Sequence, residues 1–227
     1  MHLLAAIEIE RFYVAAHSDA RPVVVLHERR VLDACERATA KGVTVGMSRD
    51  ACRQLLPEAR FEPYAEERHR RRAEDWWNVA ADHSDRVEPI SLHRAFVDLD
   101  GHPDPIAQTE RLRRDVAAVT GLSVRAGLSS ARWRARAAAR FGTDDPFALP
   151  VEAAPISEGA AARVVRMGYR SLGEVAEIGR TDLRALLGDE GLILFEAARG
   201  RGTGGVEPLW PPASTSETFR FDGTTED

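Results

Sequence analysis

Lysine is nearly missing from this chain: Lys41 is the one lysine among 227 residues, so nearly all of the positive charge is arginine. Cysteine is almost as scarce. Cys35 and Cys52 stand apart with no C-x-x-C spacing, which excludes a zinc knuckle and makes a reducing cytoplasm the expected compartment. Long apolar runs are missing too. The start, MHLLAAIEIERFYVAA, is broken by Glu8, Glu10 and Arg11 and has neither the basic n-region nor the uninterrupted h-region of a signal peptide. No other stretch approaches the length of a membrane span, so no membrane partner is expected. Finally, there is no excess of positive charge. A net charge of −5 excludes nucleic-acid binding by bulk attraction alone.

What is present is enough for a globular protein. With 44% hydrophobic residues the chain can bury one large domain or a few small ones. The arginines are clustered: Arg68 with Arg70, Arg71 and Arg72, then Arg111, Arg113 and Arg114, then Arg125 through Arg140. Arginine is the better bidentate phosphate ligand. An arginine bias can equally come from genome composition, and both readings stay open at this point.

Along the chain, LLAAIEI reads as a buried strand, RFYVAA as the first turn of a helix, and VVVL as a second strand. ERRVLDACERATAKG has apolar or small residues at Val31, Ala34, Cys35 and Ala38 and stops at Gly42, which predicts one helix. Ser48 caps the next helix, DACRQLLPE. A long amphipathic helix is expected from near Tyr64, followed by the strand region RVEPISLHRAFVDLDG. The helix PIAQTERLRRDVAAVTG follows, with Ile106, Leu112, Val116 and Val119 at roughly helical spacing, then the strand LSVRAGLSS and the helix ARWRARAAARFG. After a connection at DDPFALPVEAAPIS come several short helices punctuated by glycine. The last stretch, rich in Gly, Pro, Ser and Thr, reads as a linker opening into one short strand, ETFRF. The expected class is an α/β or α+β sheet domain with a small α/β unit inserted, followed by an all-α module.

The order of motifs carries a resemblance. IEIERFYVAA, KGVTVGMSRDACRQLLPEARF, VEPISLHRAFVDLD, AGLSSARWRARAAARF, and then MGYRSLGEVAEI with LFEAARG together resemble the Y-family, UmuC/DinB-type, translesion DNA polymerases over roughly residues 4–212. The resemblance implies an α+β palm at 1–17 and 73–147, inserted α/β fingers at 18–72, an all-α thumb at 148–203, and, at 204–227, the linker and first strand of a little finger that is otherwise missing from this sequence.

Nucleotidyl transfer in such a palm uses two Mg²⁺ ions held by carboxylates. The resemblance places the first acidic pair on Glu8 and Glu10 and the second on His93 and Arg94. A guanidinium cannot ligate Mg²⁺. Glu8 and Glu10 are therefore expected either to be solvated or to form salt bridges with Arg94, the second being favoured here, with His93 as a hydrogen-bonded structural histidine. The triphosphate-reading positions on the fingers fall on Glu36 and Thr39, and a further lysine position falls on Thr143. Tyr13 matches the aromatic that excludes ribonucleotides, a position that equally suits a core aromatic.

For DNA, the hairpin turn of the thumb reads APISEG, with Pro155 and Ser157 where glycines are implied. Arg132, Arg136 and Arg140 share one helix face at four-residue spacing, with Ser129 and Ser130 at the N-terminus, and are the candidate phosphate contacts. The bland alternative is a solvated basic face.

Two functions follow from this reading. The favoured one is a non-catalytic, ImuB-like accessory protein of damage-induced (SOS) mutagenesis and DNA repair. It is expected to act in the cytoplasm near the nucleoid, with weak to moderate DNA binding, no metal and no cofactor. Its partners by resemblance are a sliding clamp, an error-prone polymerase and a small RecA-like protein. Leu209 and Trp210 in EPLWPP are the candidate clamp contact. The alternative is a divergent but active translesion polymerase, with Mg²⁺ bound by Glu8, Glu10 and either Asp98 or Asp100.

Overall fold

In LAAIEI every second side chain points the same way, and strand β1 (Leu4–Ile9) uses both faces. Ala5, Ile7 and Ile9 enter one core with Trp76, Leu112 and Val116, while Leu4 and Ala6 enter another with Phe96, Ala135 and Val206. The computed structural model describes residues 2–17, 20–143, 145–202 and 204–212. Strand β1 lies inside a four-stranded antiparallel sheet of order β5-β6-β1-β7, with β5 Val87–Ser91, β6 Arg94–Asp98 and β7 Val124–Ser129. Helices α3 (Glu66–Ala81) and α4 (Pro105–Thr120) supply Trp76, Leu112 and Val116 to the first core, and α5 (Arg132–Phe141) supplies Ala135 to the second.

Helix α5 sits unusually close to the sheet. A Cβ on Gly127 of β7 would lie 2.2 Å from the Ala139 nitrogen and 2.3 Å from the Ala135 oxygen, so only glycine fits there. The buried Ala135 and Ala139 complete the close approach. Gly121 stops α4 and Gly142 stops α5, both with positive φ, as a left-handed helix cap requires.

Between β1 and α3 the chain builds a second sheet, β3-β2-β4, from β2 (Val23–His27), β3 (Arg30–Ala34) and β4 (Arg60–Pro63). Helices α1 (Glu36–Ala40) and α2 (Arg49–Leu55) pack on it around Val24, Val31, Ala38, Cys52 and Leu56. The single helix expected over ERRVLDACERATAKG is corrected here: it divides into β3 and α1. The cause is a tight hairpin in which Glu28 and Arg29 both take positive φ (48° and 63°), with His27 paired to Arg30. RFYVAA likewise forms a turn and a short 3₁₀ segment, Val14–Ala16, in place of an α-helical turn. Ser48 does cap α2, accepting from the Ala51 amide at 3.2 Å.

The last described elements are helical: α6 (Glu158–Arg166), α7 (Leu172–Ala176), α8 (Arg180–Leu187) and α9 (Asp189–Ala197). They close over Leu149, Val151, Val164, Leu172, Leu183 and Leu194, and Trp133 of α5 belongs to the same core. The helical segment is thereby welded to the sheet domain. Both cysteines are free thiols. Among the described residues no helix is long and apolar enough to cross a membrane. The expected strand ETFRF lies outside the described residues.

Candidate active site

Register sets the site. Glu8 of β1 lies directly opposite Arg94 of β6 on one side and Arg125 of β7 on the other, so the three side chains share one face of the sheet. It is the face of Leu4 and Ala6, continued to the strand end. Glu10, just past the strand, forms an ion pair with Arg125. Arg94 donates its Nε–H to Ser91 Oγ at 3.4 Å. The expected salt bridges from Glu8 and Glu10 to Arg94 are therefore corrected: Glu10 is taken by Arg125, and among the described residues no cation lies within 4 Å of Glu8. Arg125 was legible only through pairing register, which no short motif reveals.

A cleft of about 470 Å³ opens between the two sheets, lined by Glu8, Glu10, Arg11, Tyr13, Asp33 and His93 among others. Asp33 of β3 holds the turn below it, accepting from the Tyr13 and Val14 amides at 2.9 and 3.2 Å. Burial pushes the Asp33 carboxyl up, against the lowering effect of those amides and of Arg11. Tyr13 is fixed by rings on several sides: Phe12, Tyr64, His69 and His93 all meet it edge-on. Burial, then Tyr64 and Asp33, push its hydroxyl up to about 12, so it remains a neutral donor. Its oxygen lies 3.2 Å from His93 Nδ1, which also lies 3.2 Å from Ser91 Oγ. Burial first, then Arg94, lowers the imidazole to about 4. A neutral ring accepting the tyrosine proton at Nδ1 carries its own proton on Nε2. His93 is thus a hydrogen-bonded neutral group at neutral pH, beside a permanent cation.

The fingers-side positions are occupied by internal contacts. Glu36 pairs with Arg11 at 3.5 Å, and Thr39 donates its hydroxyl to the Glu36 carbonyl at 2.9 Å. Thr143 Oγ1 accepts from the Asp145 amide at 3.2 Å. Arg11 takes a positive φ of 52°, a strained conformation for a side chain of its size, at the edge of this cleft.

A second cleft, of about 660 Å³, lies between the sheet and the helical segment, lined by Glu8, Arg94, Arg125, Arg136, Arg140 and Pro155 among others. Of the candidate phosphate contacts, Arg136 and Arg140 face it. Arg132 does not serve there: it forms a bidentate pair with buried Glu88, at 2.9 Å and 2.5 Å, and its guanidinium lies 4.6 Å over the Phe96 ring. Ser129 is buried on β7, and Ala131, not a serine, caps α5. Ser130 is half-buried, with its carbonyl against Gly204. At the turn before α6, the Ser157 amide donates to Glu190 Oε1 at 2.6 Å and its hydroxyl to Glu190 Oε2 at 3.1 Å. A carboxylate of the chain itself therefore holds the donors that a phosphate would use.

Leu209 and Trp210 lie along the open edge of β5, both amides 3.0 Å from the Val87 oxygen. The Trp210 indole packs 5.1 Å from the Trp77 ring and donates to Asn78 Oδ1 at 3.0 Å. Only Leu209 of the pair is exposed.

Whether these residues fit a pair of Mg²⁺ ions can be tested directly. Among the described residues no three His, Cys, Asp or Glu side chains converge as a ligand group. Asp98 lies opposite Leu4, four residues or about 13 Å of strand from Glu8. It is engaged by Arg86 at 3.1 Å, and Asp100 by His2 at 3.3 Å. The carboxylates do not fit a two-metal site in this geometry, and Arg94 adds an opposing charge.

Against known proteins, residues 7–140 match the impB/mucB/samB family. The chain is 27% identical over 87% of its length to DNA polymerase IV of Halorhodospira halophila, covering 60% of that protein, and 30% identical over 86% of its length to DNA polymerase IV of Streptomyces coelicolor, covering 47%. It therefore spans about half to three-fifths of these curated relatives. The crystal structure of DinB from Sulfolobus solfataricus matches 91% of the chain, and 69% of its own, at a TM-score of 0.80 and 18% identity. The insertion ternary complex of Dbh DNA polymerase matches 90% of the chain, and 69% of its own, at 0.77 and 18%. The palm, inserted fingers and helical thumb are those of this fold. These relatives overturn the expectation of a non-catalytic adaptor that is no enzyme: the curated proteins matching most of the chain are named as DNA polymerases. The expectation of no cofactor falls with it, since Mg²⁺ is what the resemblance implies for that reaction. By the match over more than half its length, the chain belongs to the impB/mucB/samB family of UmuC/DinB-type, Y-family polymerase domains.

Proposed function

We propose that this chain is the palm, fingers and thumb of a translesion DNA polymerase, with 1–17 and 73–147 as palm, 18–72 as fingers, 148–203 as thumb and the linker from 204. The boundary at 72/73 falls inside α3, whose first turns already pack His69 against Tyr13. The reaction is nucleotidyl transfer. The primer 3′-hydroxyl oxygen bonds to the α-phosphorus of a deoxynucleoside triphosphate, the α–β anhydride bond breaks, pyrophosphate leaves, and the hydroxyl proton passes to solvent.

The observation that carries this reading is the cleft between the two sheets, into which Glu8 faces with no salt bridge among the described residues, beside a rigidly held Tyr13, in a chain whose curated relatives are named DNA polymerase IV. Tyr13 is proposed to exclude a ribose 2′-hydroxyl: Asp33 fixes its backbone and His93 its hydroxyl, so the ring cannot swing aside without losing the His93 contact. DNA is the partner, in the cleft that Arg136 and Arg140 line. Damage tolerance is the proposed setting. Contact with a sliding clamp has less support, because the Trp210 ring is already seated on the palm.

Primer extension by the purified protein on damaged and undamaged templates tests the proposal. Template-directed incorporation of deoxynucleotides is expected, and no incorporation on either template would overturn it.

A further inference from the structure

The misfit between the site and a metal pair leaves a different chemistry in the same place. Arg94, Arg136 and Arg140 line one cleft. Among the described residues none of them has a carboxylate within 4 Å, and the sole side-chain hydrogen bond from the three is the long one from Arg94 to Ser91. The other arginines of this region are neutralised, Arg125 by Glu10 and Arg132 by Glu88. Like charges gathered without counter-charge oppose the folded state unless an anion joins them. Glu8 is close enough to Arg136 to be felt by it, and Glu8 and Glu152 together place two negative charges in this cleft against these three positive ones, leaving the cluster net positive. The guanidinium fork matches two phosphate oxygens at once.

We propose that Arg94, Arg136 and Arg140 form a seat for the phosphodiester oxyanions of a DNA strand, filled without a divalent cation, at the position where the family resemblance implies the second metal-binding pair. The strand is favoured over a free triphosphate because the seat opens between the sheet and the helical segment, beside Pro155 and Ile156. The positions where the resemblance implies triphosphate contacts hold Glu36 and Thr39, neither a cation. This inference rests on the reading that the cleft receives DNA. Primer extension and DNA binding are separate measurements, so either can fail alone.

Fluorescence anisotropy of a labelled primer–template, titrated with protein in EDTA and in magnesium chloride over a salt series, tests the seat. The same affinity is expected in both buffers. Arg94→Gln, Arg136→Gln and Arg140→Gln are each expected to weaken binding about tenfold and to lower the salt slope by about one. Arg94→Lys is expected to keep the slope. Arg136 and Arg140 are exposed, so their variants fold even if Arg94→Gln does not, which a thermal melt of each checks. Binding that requires magnesium, or exposed-site variants with unchanged affinity and slope, would overturn the seat. Tripolyphosphate binding that depends on Arg94, with DNA binding indifferent to all three arginines, would overturn the strand as its occupant. Extension lost with binding in EDTA intact would count against the polymerase reading alone.

Discussion

At His93, burial and the adjacent Arg94 lower the imidazole from 6.5 to about 4, while the unfolded chain keeps the ordinary value. Between those values the unfolded state binds the extra proton and the native state does not, so stability falls as pH drops through this window. The melting temperature of the wild-type protein is therefore expected to fall more steeply between pH 6.5 and about 4 than that of His93→Gln, and parallel curves would contradict the assignment. Tyr13 gives a second residue-scale prediction: Tyr13→Ala is expected to raise ribonucleotide incorporation relative to deoxynucleotide, read from single-nucleotide extension with each substrate. Glu190 gives a third. Since it holds the Ser157 donors, Glu190→Ala is expected to tighten DNA binding and steepen its salt dependence, while the lost hydrogen bonds to a charged group destabilise the helical segment by about 1–3 kcal/mol.

Among the elements, the pairing of β7 with α5 is the most constrained. A methyl group on Gly127 would collide with backbone atoms of α5, which have no rotamer to yield, so Gly127→Ala is expected to destabilise by about 1–3 kcal/mol or more, measured as the urea midpoint. DNA binding should weaken with it, because α5 carries Arg136 and Arg140. The β2–β3 hairpin offers the opposite change. Glu28 and Arg29 both hold left-handed backbone, so Glu28→Asn with Arg29→Gly is expected to stabilise by about 1 kcal/mol per position. That hairpin also shows why part of the fold was hidden in the sequence: its turn carries two charged residues where Asn-Gly would have announced it, and β3 read as the start of a helix. Strand β1, by contrast, was legible from its nearly continuous apolar run, and the Ser48 cap and the Gly121 stop from local chemistry alone. The fate of Arg132 was not legible. Helical spacing placed it with Arg136 and Arg140, but its partner Glu88 is on a strand distant in sequence, and only tertiary register brings the two together.

For the molecule as a whole, motif order sufficed to identify the family, since it depends on several local patterns at compatible spacing. The site was only half legible. That Glu8 and Arg94 occupy the acidic positions could be read from alignment of motifs, but the pairing of Glu10 with Arg125, and the lack of a salt bridge on Glu8 among the described residues, follow from strand register and α5 packing. The sequence also led to an adaptor reading because the substitution at His93 and Arg94 looked like the loss of an active site. The relatives named DNA polymerase IV across most of the chain reverse that inference. What the two clefts share is Glu8 and Arg94, which line both the cleft between the sheets and the cleft beside the helical segment. The measurement that tests the polymerase reading most directly is single-turnover primer extension by wild type and Glu8→Ala under matched DNA saturation. The account predicts template-directed incorporation by the wild type that Glu8→Ala abolishes while DNA affinity is retained. Incorporation unchanged in Glu8→Ala, or absent from the wild type, would contradict it.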